Sequence, residues 1–175
     1  MLRWLLAGYL QSTPDEVAFG YAVHGKPFLI GTGGDLRFNV SHSQNIGFIA
    51  VAACEVGIDV EKRRGILSMA SLVERYFAQQ EKEQFRALPT VEQVAWFFRC
   101  WTRKEALLKA SGVGIHVPLD QVDVGGQERG TFSVLWQERE WSVADLSEPE
   151  SHFVAVVSEG KQESEVHVGR ITQMV

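Results

Sequence analysis

The stretch of this chain at residues 91–110 contains no proline or glycine and is rich in alanine, leucine, glutamine, glutamate, arginine and lysine. Because these residues have high helix propensities, the stretch predicts one long helix, which begins after Pro89 and Thr90 and ends before Gly112. Short segments of alternating apolar and polar residues elsewhere are typical of β-strands. We therefore expect an α+β fold in which helices pack on antiparallel strands.

The other predicted elements divide the chain into two halves. Shorter helices are predicted at residues 2–11, 68–77 and 79–87, and strands at 17–23, 36–41, 46–53, 59–61, 121–124, 131–137, 140–146 and 152–158. The first half is residues 1–61, and the second is residues 62–158, which contains the long helix. Residues 159–175 are polar, so we expect them to form a poorly ordered tail.

Two carboxylates share one face of a predicted strand. Asp59 and Glu61 end an apolar run at residues 46–60, and alternate residues of a strand point to the same side. Neighbouring carboxylates repel each other, and a cation between them removes the repulsion. The pair therefore suggests a divalent-metal site, while a solvated strand face is the alternative.

A third carboxylate lies on the apolar stripe of the long helix. At 3.6 residues per turn, Val94, Phe98, Trp101, Glu105 and Lys109 fall on one side. A carboxylate that continues an apolar face needs a cation or a metal, because burying it unpaired is costly. An ion pair with Lys109, one turn further along, is the alternative for Glu105.

Three motifs carry a resemblance to a known family. They are residues 38–43 (FNVSHS), residues 57–61 (GIDVE), and residues 101–105 (WTRKE) followed by Lys109. Their order and spacing resemble those of the 4′-phosphopantetheinyl transferases of the surfactin-synthetase-activating type, and a weaker similarity covers Gly25-Lys26-Pro27. The resemblance implies an α+β fold of two similar subdomains with antiparallel sheets.

The resemblance also implies an activity. Enzymes of this family use Mg²⁺ to move the phosphopantetheine arm of coenzyme A onto a serine of an acyl or peptidyl carrier protein, releasing adenosine 3′,5′-bisphosphate. A non-catalytic or truncated carrier-protein-binding relative is one alternative, and a magnesium-dependent phosphodiesterase is another. The sequence does not name the carrier protein.

Specific residues inherit roles from the matched motifs. Asp59, Glu61 and Glu105 are the implied magnesium ligands, and Glu105 is also a candidate general base. His42 and Lys109 are implied to contact the phosphates of coenzyme A and to assist catalysis. Ser41 and Lys26 are further implied coenzyme A contacts.

The start of the chain differs from the family pattern. In the family, a leading strand and basic residues precede the helix that residues 2–10 resemble, and those residues help to hold coenzyme A. We therefore expect a shortened N-terminal subdomain. Either the native start lies upstream and coenzyme A binding is weakened in this form, or the protein works without those parts.

Composition limits the remaining choices. The chain has 175 residues, 45% of them hydrophobic, which is enough for an ordinary core, and its net charge of -5 argues against general nucleic-acid binding. Cys54 and Cys100 are widely spaced in apolar segments, so we expect reduced thiols and a cytoplasmic protein. No apolar stretch reaches the roughly 20 residues of a membrane span. We expect a monomer.

A short basic run follows the carboxylate strand. Such runs are usually solvated loops, and a local positive surface is the alternative. Residues 62–64 (KRR) directly follow the carboxylate strand, and Arg99, Arg103 and Lys104 lie on the long helix. Together they could attract an acidic carrier protein or coenzyme A.

Overall fold

A long helix packs across one sheet and is flanked by two further sheets and three shorter helices. The computed structural model describes residues 1–31, 34–114, 117–125, 130–148, 151–160 and 166–171. The described elements, in chain order, are α1 (Leu2–Leu10), β1 (Ala18–Tyr21), β2 (Pro27–Ile30), β3 (Arg37–Ser43), β4 (Ile46–Ala52), β5 (Val56–Lys62), α2 (Met69–Tyr76), α3 (Gln79–Ala87), α4 (Thr90–Ser111), a 3₁₀ turn (Leu119–Gln121), β6 (Thr131–Trp136), β7 (Arg139–Asp145), β8 (His152–Glu159) and β9 (Val166–Ile171).

The described strands form three antiparallel sheets. Their strand orders are β1-β2, β3-β4-β9 and β5-β8-β7-β6. Helices pack against these sheets, so the expected α+β class is confirmed. No helix within the described residues is both long and apolar enough to cross a membrane. The division into subdomains at residue 61 stays a prediction.

Helix α4 approaches strand β5 so closely that one position admits only glycine. A Cβ atom on Gly57 would collide with the backbone of Ala106 and of Ala110. Because Gly57 has no side chain, the WTRKE motif of α4 packs directly on the GIDVE motif of β5. This contact brings Glu105 and Lys109, on α4, alongside Asp59, on β5.

Polar side chains of β3 join two of the sheets. Alternate residues of β3 accept hydrogen bonds from backbone N–H groups of β5, so the two strands run alongside each other in the same direction. Ile58 N–H donates to Asn39 Oδ1 (2.9 Å), Val60 N–H to Ser41 Oγ (3.2 Å) and Lys62 N–H to Ser43 Oγ (3.1 Å). The FNVSHS motif therefore places its alternate polar residues beside the GIDVE strand.

Two sequence expectations differ from the structure. The predicted strand at residues 121–124 does not form, because Lys104 Nζ donates to the carbonyls of Leu119 and Val122 and Glu81 accepts from the N–H of Val124. These side chains form hydrogen bonds with the backbone C=O and N–H groups that would otherwise pair with a neighbouring strand. The expectation of a poorly ordered tail is wrong for β9, which pairs with the free side of the apolar strand β4. The rest of the predicted tail up to residue 165, and residues 172–175, lies outside the described residues, apart from Glu159 and Gly160.

Candidate active site

Three elements bring four of the predicted residues together. Ser41 lies on β3, Asp59 on β5, and Glu105 and Lys109 on α4. Ser41 and Lys109 both hydrogen bond to the carboxylate of Asp59. Asp59 is therefore the centre of the site.

The Asp59 carboxylate is buried and only partly satisfied. The residue is 6% exposed. Its Oδ1 accepts from the hydroxyl of Ser41 at 2.9 Å and from Lys109 Nζ at 2.6 Å. Its Oδ2 is buried and has no hydrogen-bond partner among the described residues. Because a buried carboxylate oxygen without a partner is costly, this atom is the clearest mark of a ligand position in the site.

The Ser41 hydroxyl uses its full hydrogen-bonding capacity within the fold. It donates to Asp59 and accepts from the N–H of Val60 and from Lys109 Nζ, the last at 3.1 Å. One donor and two acceptor positions complete what a hydroxyl can offer. Ser41 therefore fixes the orientation of Asp59, and a role as a nucleophile would break all three contacts.

Glu105 is a half-buried carboxyl beside the other two acids. Burial raises its pKa, the negative charge of Asp59 raises it further and that of Glu61 adds to this, while the ammonium of Lys109 opposes these effects. The three carboxylates therefore lie within electrostatic range of one another. Lys109 pairs with Asp59 and forms no close ion pair with Glu105 within the described chain, so the i,i+4 alternative is not what the structure contains.

The three acids do not enclose a metal position as they stand. Glu61 points toward Arg64, whose guanidinium lies 2.7 Å from Glu61 Oε2. Over the described ranges, no group of three or more His, Cys, Asp and Glu side chains is arranged to hold a metal ion. The oxygen chemistry of Asp59, Glu61 and Glu105, and the orphaned Oδ2 of Asp59, nevertheless fit a hard divalent cation. The magnesium assignment stays a prediction.

A cleft of about 250 Å³ opens beside these acids. Both Glu105 and Lys109 line it, and so does Lys26 at the turn before β2. The Nζ of Lys26 donates to Glu55 Oε2 and to the carbonyl of Ala110, each at 2.6 Å. Lys26 is thus held at the carboxyl end of α4, where a cation is stabilised by the helix dipole.

His42 lies apart from this cluster. Its side chain is exposed, and strand alternation turns it to the opposite side of β3 from the buried Ser41. The imidazole makes no hydrogen bond within the described part of the chain. This geometry does not test the predicted contact between His42 and a phosphate group, which stays a prediction. The coenzyme A contacts of Lys26 and Ser41 stay predictions as well.

The three basic residues of the long helix do not form the positive surface that was the alternative for the basic run. Lys104 is fully buried against Glu81, with Nζ and Oε2 2.6 Å apart. Arg103 is buried against Asp145 at 2.7 Å, and Arg99 lies 3.4 Å from the same carboxylate. Helix α4 is enclosed on several sides, so these cations lie in the interior and pair with buried carboxylates. The sequence pattern showed only one apolar stripe and therefore did not predict their burial.

Comparisons with known proteins agree on one family. The family model described as the 4′-phosphopantetheinyl transferase superfamily matches residues 55–157, which is more than half of the chain. The 4′-phosphopantetheinyl transferase HetI of Nostoc sp. is 38% identical over 165 residues, which cover 90% of this chain and 67% of HetI. The 4′-phosphopantetheinyl transferase Sfp of Bacillus subtilis is 29% identical over 134 residues, covering 77% of this chain and 58% of Sfp.

A solved structure shows a weaker likeness. The holo-[acyl-carrier-protein] synthase of Thermotoga maritima aligns with a TM-score of 0.43 and 18% identity over 62% of this chain and 64% of that chain. This degree of likeness bears no weight for function. The chain spans roughly three fifths of the length of the curated relatives HetI and Sfp. The family match over residues 55–157 and the identity with HetI establish that this chain belongs to the 4′-phosphopantetheinyl transferase superfamily.

Proposed function

We propose that this chain transfers the 4′-phosphopantetheine arm of coenzyme A to a serine of an acyl or peptidyl carrier protein in a reaction that depends on Mg²⁺. The observation that carries the proposal is the buried carboxylate of Asp59. Its Oδ2 has no partner within the described residues, and its charge acts on Glu105, which lines an open cleft. Family membership and the names of the relatives support the same activity.

The reaction breaks one phosphorus–oxygen bond and forms another. The serine hydroxyl of the carrier protein attacks the phosphorus next to the pantetheine, and adenosine 3′,5′-bisphosphate leaves with the bridging oxygen. The serine proton must be accepted, and negative charge on the phosphate oxygens must be balanced. The chain offers groups for both tasks.

Glu105 is suited to accept the proton. Burial and the neighbouring acids raise its pKa in the metal-free chain, and base duty would fall to a Glu105 oxygen that the magnesium ion does not hold. Its position on the wall of the cleft leaves room for a hydroxyl or one water molecule. Ser41 fixes the orientation of Asp59 next to it.

Asp59, Glu61 and Glu105 would hold the magnesium ion. When bound, the ion would balance charge on the pyrophosphate oxygens as a Lewis acid. Lys109 would bind phosphate groups of coenzyme A in the cleft, which Lys26 also lines. His42, exposed on the other side of β3, would be a further phosphate contact.

The proposed setting follows from charge and thiol state. Cys54 and Cys100 are both free, which favours a reducing compartment, and we place the protein in the cytoplasm as a monomer. The net charge of -5 disfavours nucleic acid as a partner. Coenzyme A and a carrier protein are therefore the proposed partners.

The test is the intact mass of a carrier protein. A panel of apo acyl and peptidyl carrier proteins is incubated with the chain and coenzyme A, with Mg²⁺ or with a chelator. We expect one carrier to gain one phosphopantetheine arm only with Mg²⁺, and a carrier whose acceptor serine is changed to alanine to gain nothing. Intact coenzyme A with unmodified carriers would indicate a binding protein, and hydrolysed coenzyme A with unmodified carriers would indicate a phosphodiesterase.

A further inference from the structure

The ammonium group of Lys109 has all three of its donors engaged by the two strands beneath it. Its Nζ lies 2.6 Å from Asp59 Oδ1, 3.1 Å from Ser41 Oγ and 3.3 Å from the carbonyl oxygen of Ile58. Three acceptors match the three N–H bonds of an ammonium group. Lys109 is therefore the cation that neutralises Asp59 in this structure.

A divalent cation bound through Oδ2 of Asp59 would lie next to this ammonium and repel it. Asp59 is the most deeply buried of the three acids, and Lys109 covers its Oδ1 while its Oδ2 has no partner. Glu61 is drawn toward Arg64. Because two side-chain cations hold two of the carboxylates, the acids lie near one another without enclosing a metal position in the described residues.

The lysine has space to leave Asp59. Its side chain is 31% exposed and lines the cleft of about 250 Å³ together with Glu105. A flexible four-carbon stem allows the ammonium to turn into that cleft without movement of the backbone. The cleft is also where an anionic ligand would meet the ammonium.

On the basis of the proposed function, we infer that Lys109 is a place-holding cation that a divalent metal displaces from Asp59. Displacement turns the ammonium into the cleft, where it binds phosphate groups of coenzyme A. Metal and coenzyme A therefore bind cooperatively, because each favours the turned-out position of the same side chain. By thermodynamic linkage, each ligand raises the affinity of the other by the same factor.

The direct test is the affinity for Mg²⁺ alone, measured by titration calorimetry without coenzyme A. The variant Lys109→Met keeps an unbranched side chain one atom shorter and removes the competing charge. We expect it to bind Mg²⁺ about tenfold more tightly than the wild type, the size of effect expected when a charge-assisted contact no longer has to be broken. Equal or weaker binding by the variant would overturn the inference.

Lys62→Met is the matched control. Lys62 follows Glu61 directly in β5, and its Nζ donates to the amide oxygen of Gln44 rather than to a carboxylate. The control removes the same charge near the site without freeing Asp59, so we expect its Mg²⁺ affinity to stay within twofold of the wild type. A similar gain in both variants would mean that general electrostatics, and not displacement, governs the affinity.

Coupling to coenzyme A gives a second readout. In the wild type, saturating coenzyme A should raise the Mg²⁺ affinity through direct phosphate contacts and through removal of the lysine. In Lys109→Met only the direct contacts remain, so the enhancement factor should be smaller. An enhancement as large as in the wild type would contradict cooperative displacement.

A measurement on the unmodified chain covers the case in which the variant does not fold. Acetic anhydride acylates accessible lysines, and peptide masses report the rate at each position. We expect Lys109 to react slowly in the free chain and faster with saturating Mg²⁺. An unchanged rate at concentrations where calorimetry detects bound Mg²⁺ would refute displacement. Failure of the proposed function is read separately, as a carrier protein that the wild type leaves unmodified.

Discussion

Replacing Lys104 by methionine should lower the free energy of unfolding by about 3 to 5 kcal/mol, the usual cost of removing one partner from a buried ion pair. Lys104 and Glu81 are both fully buried, with Nζ and Oε2 2.6 Å apart. Without the ammonium, the Glu81 carboxylate retains only the N–H groups of Ala78 and Val124 as strong donors. The carbonyls of Leu119 and Val122 also lose their donor.

Equilibrium denaturation in guanidinium chloride is the assay, with Lys82→Met as the control. Lys82 lies on α3, next to Glu81 in sequence, and is partly exposed. Loss of its charge should change the stability by no more than about 0.5 kcal/mol. The double variant Lys104→Met with Glu81→Leu should recover part of the loss, since no unpaired charge is left buried. A Lys104→Met variant within about 1 kcal/mol of the wild type would refute the energetic importance of the pair.

The loss should also depend on pH in one direction. Burial raises the pKa of Glu81 in the folded chain, and Lys104 opposes this. Glu81 therefore binds its proton more tightly in the folded state than in the unfolded state. As pH rises from the pKa of Glu81 in the unfolded chain through its pKa in the folded chain, the free energy of unfolding falls. Removing Lys104 raises the pKa of Glu81 in the folded state further. The pH range over which Glu81 lowers the stability then extends to higher pH. The deficit of Lys104→Met should be largest at neutral pH and shrink near pH 4.5, and a deficit that grows on acidification would contradict this assignment.

Two smaller predictions concern the contacts that align the motifs. Gly57→Ala should destabilise the fold by about 1 to 3 kcal/mol, because the new Cβ would meet the backbone of α4. The control Gly8→Ala, which has open space around it in α1, should be neutral or stabilising. Equal effects of the two substitutions would refute the close approach of α4 to β5. Ser41→Ala should cost about 1 to 3 kcal/mol because it leaves the buried N–H of Val60 without an acceptor, and Ser43→Ala, at a half-buried bond, should cost less. Denaturation midpoints check both pairs, and a larger loss for Ser43→Ala would contradict the ranking.

Local sequence patterns predicted the elements that carry the site. The bounds of α4 follow from the absence of proline and glycine between Pro89 and Gly112, and the left-handed conformation of Gly112 ends the helix. Asp59 is buried, so a solvated strand face is not its environment. The electrostatic effect of Asp59 and Glu61 on Glu105 agrees with the predicted proximity of the three acids.

Features that depend on distant partners could not be read from periodicity. The burial of Lys104 requires a carboxylate from α3 and carbonyls from residues 119–122, and neither partner is visible in the pattern of α4 itself. Strand β9 is short and mostly exposed on its described positions, so its stability comes from pairing with β4 rather than from its own sequence. Lys109 forms its ion pair with Asp59 rather than with Glu105 because α4 lies close to β5, and this contact between distant segments is also not visible in the periodicity.

The most direct test of the central claim is the product ratio of a single reaction with the wild type and with Asp59→Ala. Holo carrier protein is counted by intact mass, and adenosine 3′,5′-bisphosphate by chromatography, in the presence of Mg²⁺ and coenzyme A. We expect the wild type to give the two products in a one-to-one ratio. We expect Asp59→Ala to remain folded, because the part-exposed Lys109 that loses its partner can turn its ammonium into the cleft, and to give neither product. Normal transfer by Asp59→Ala, or nucleotide release without modified carrier from the wild type, would contradict the account.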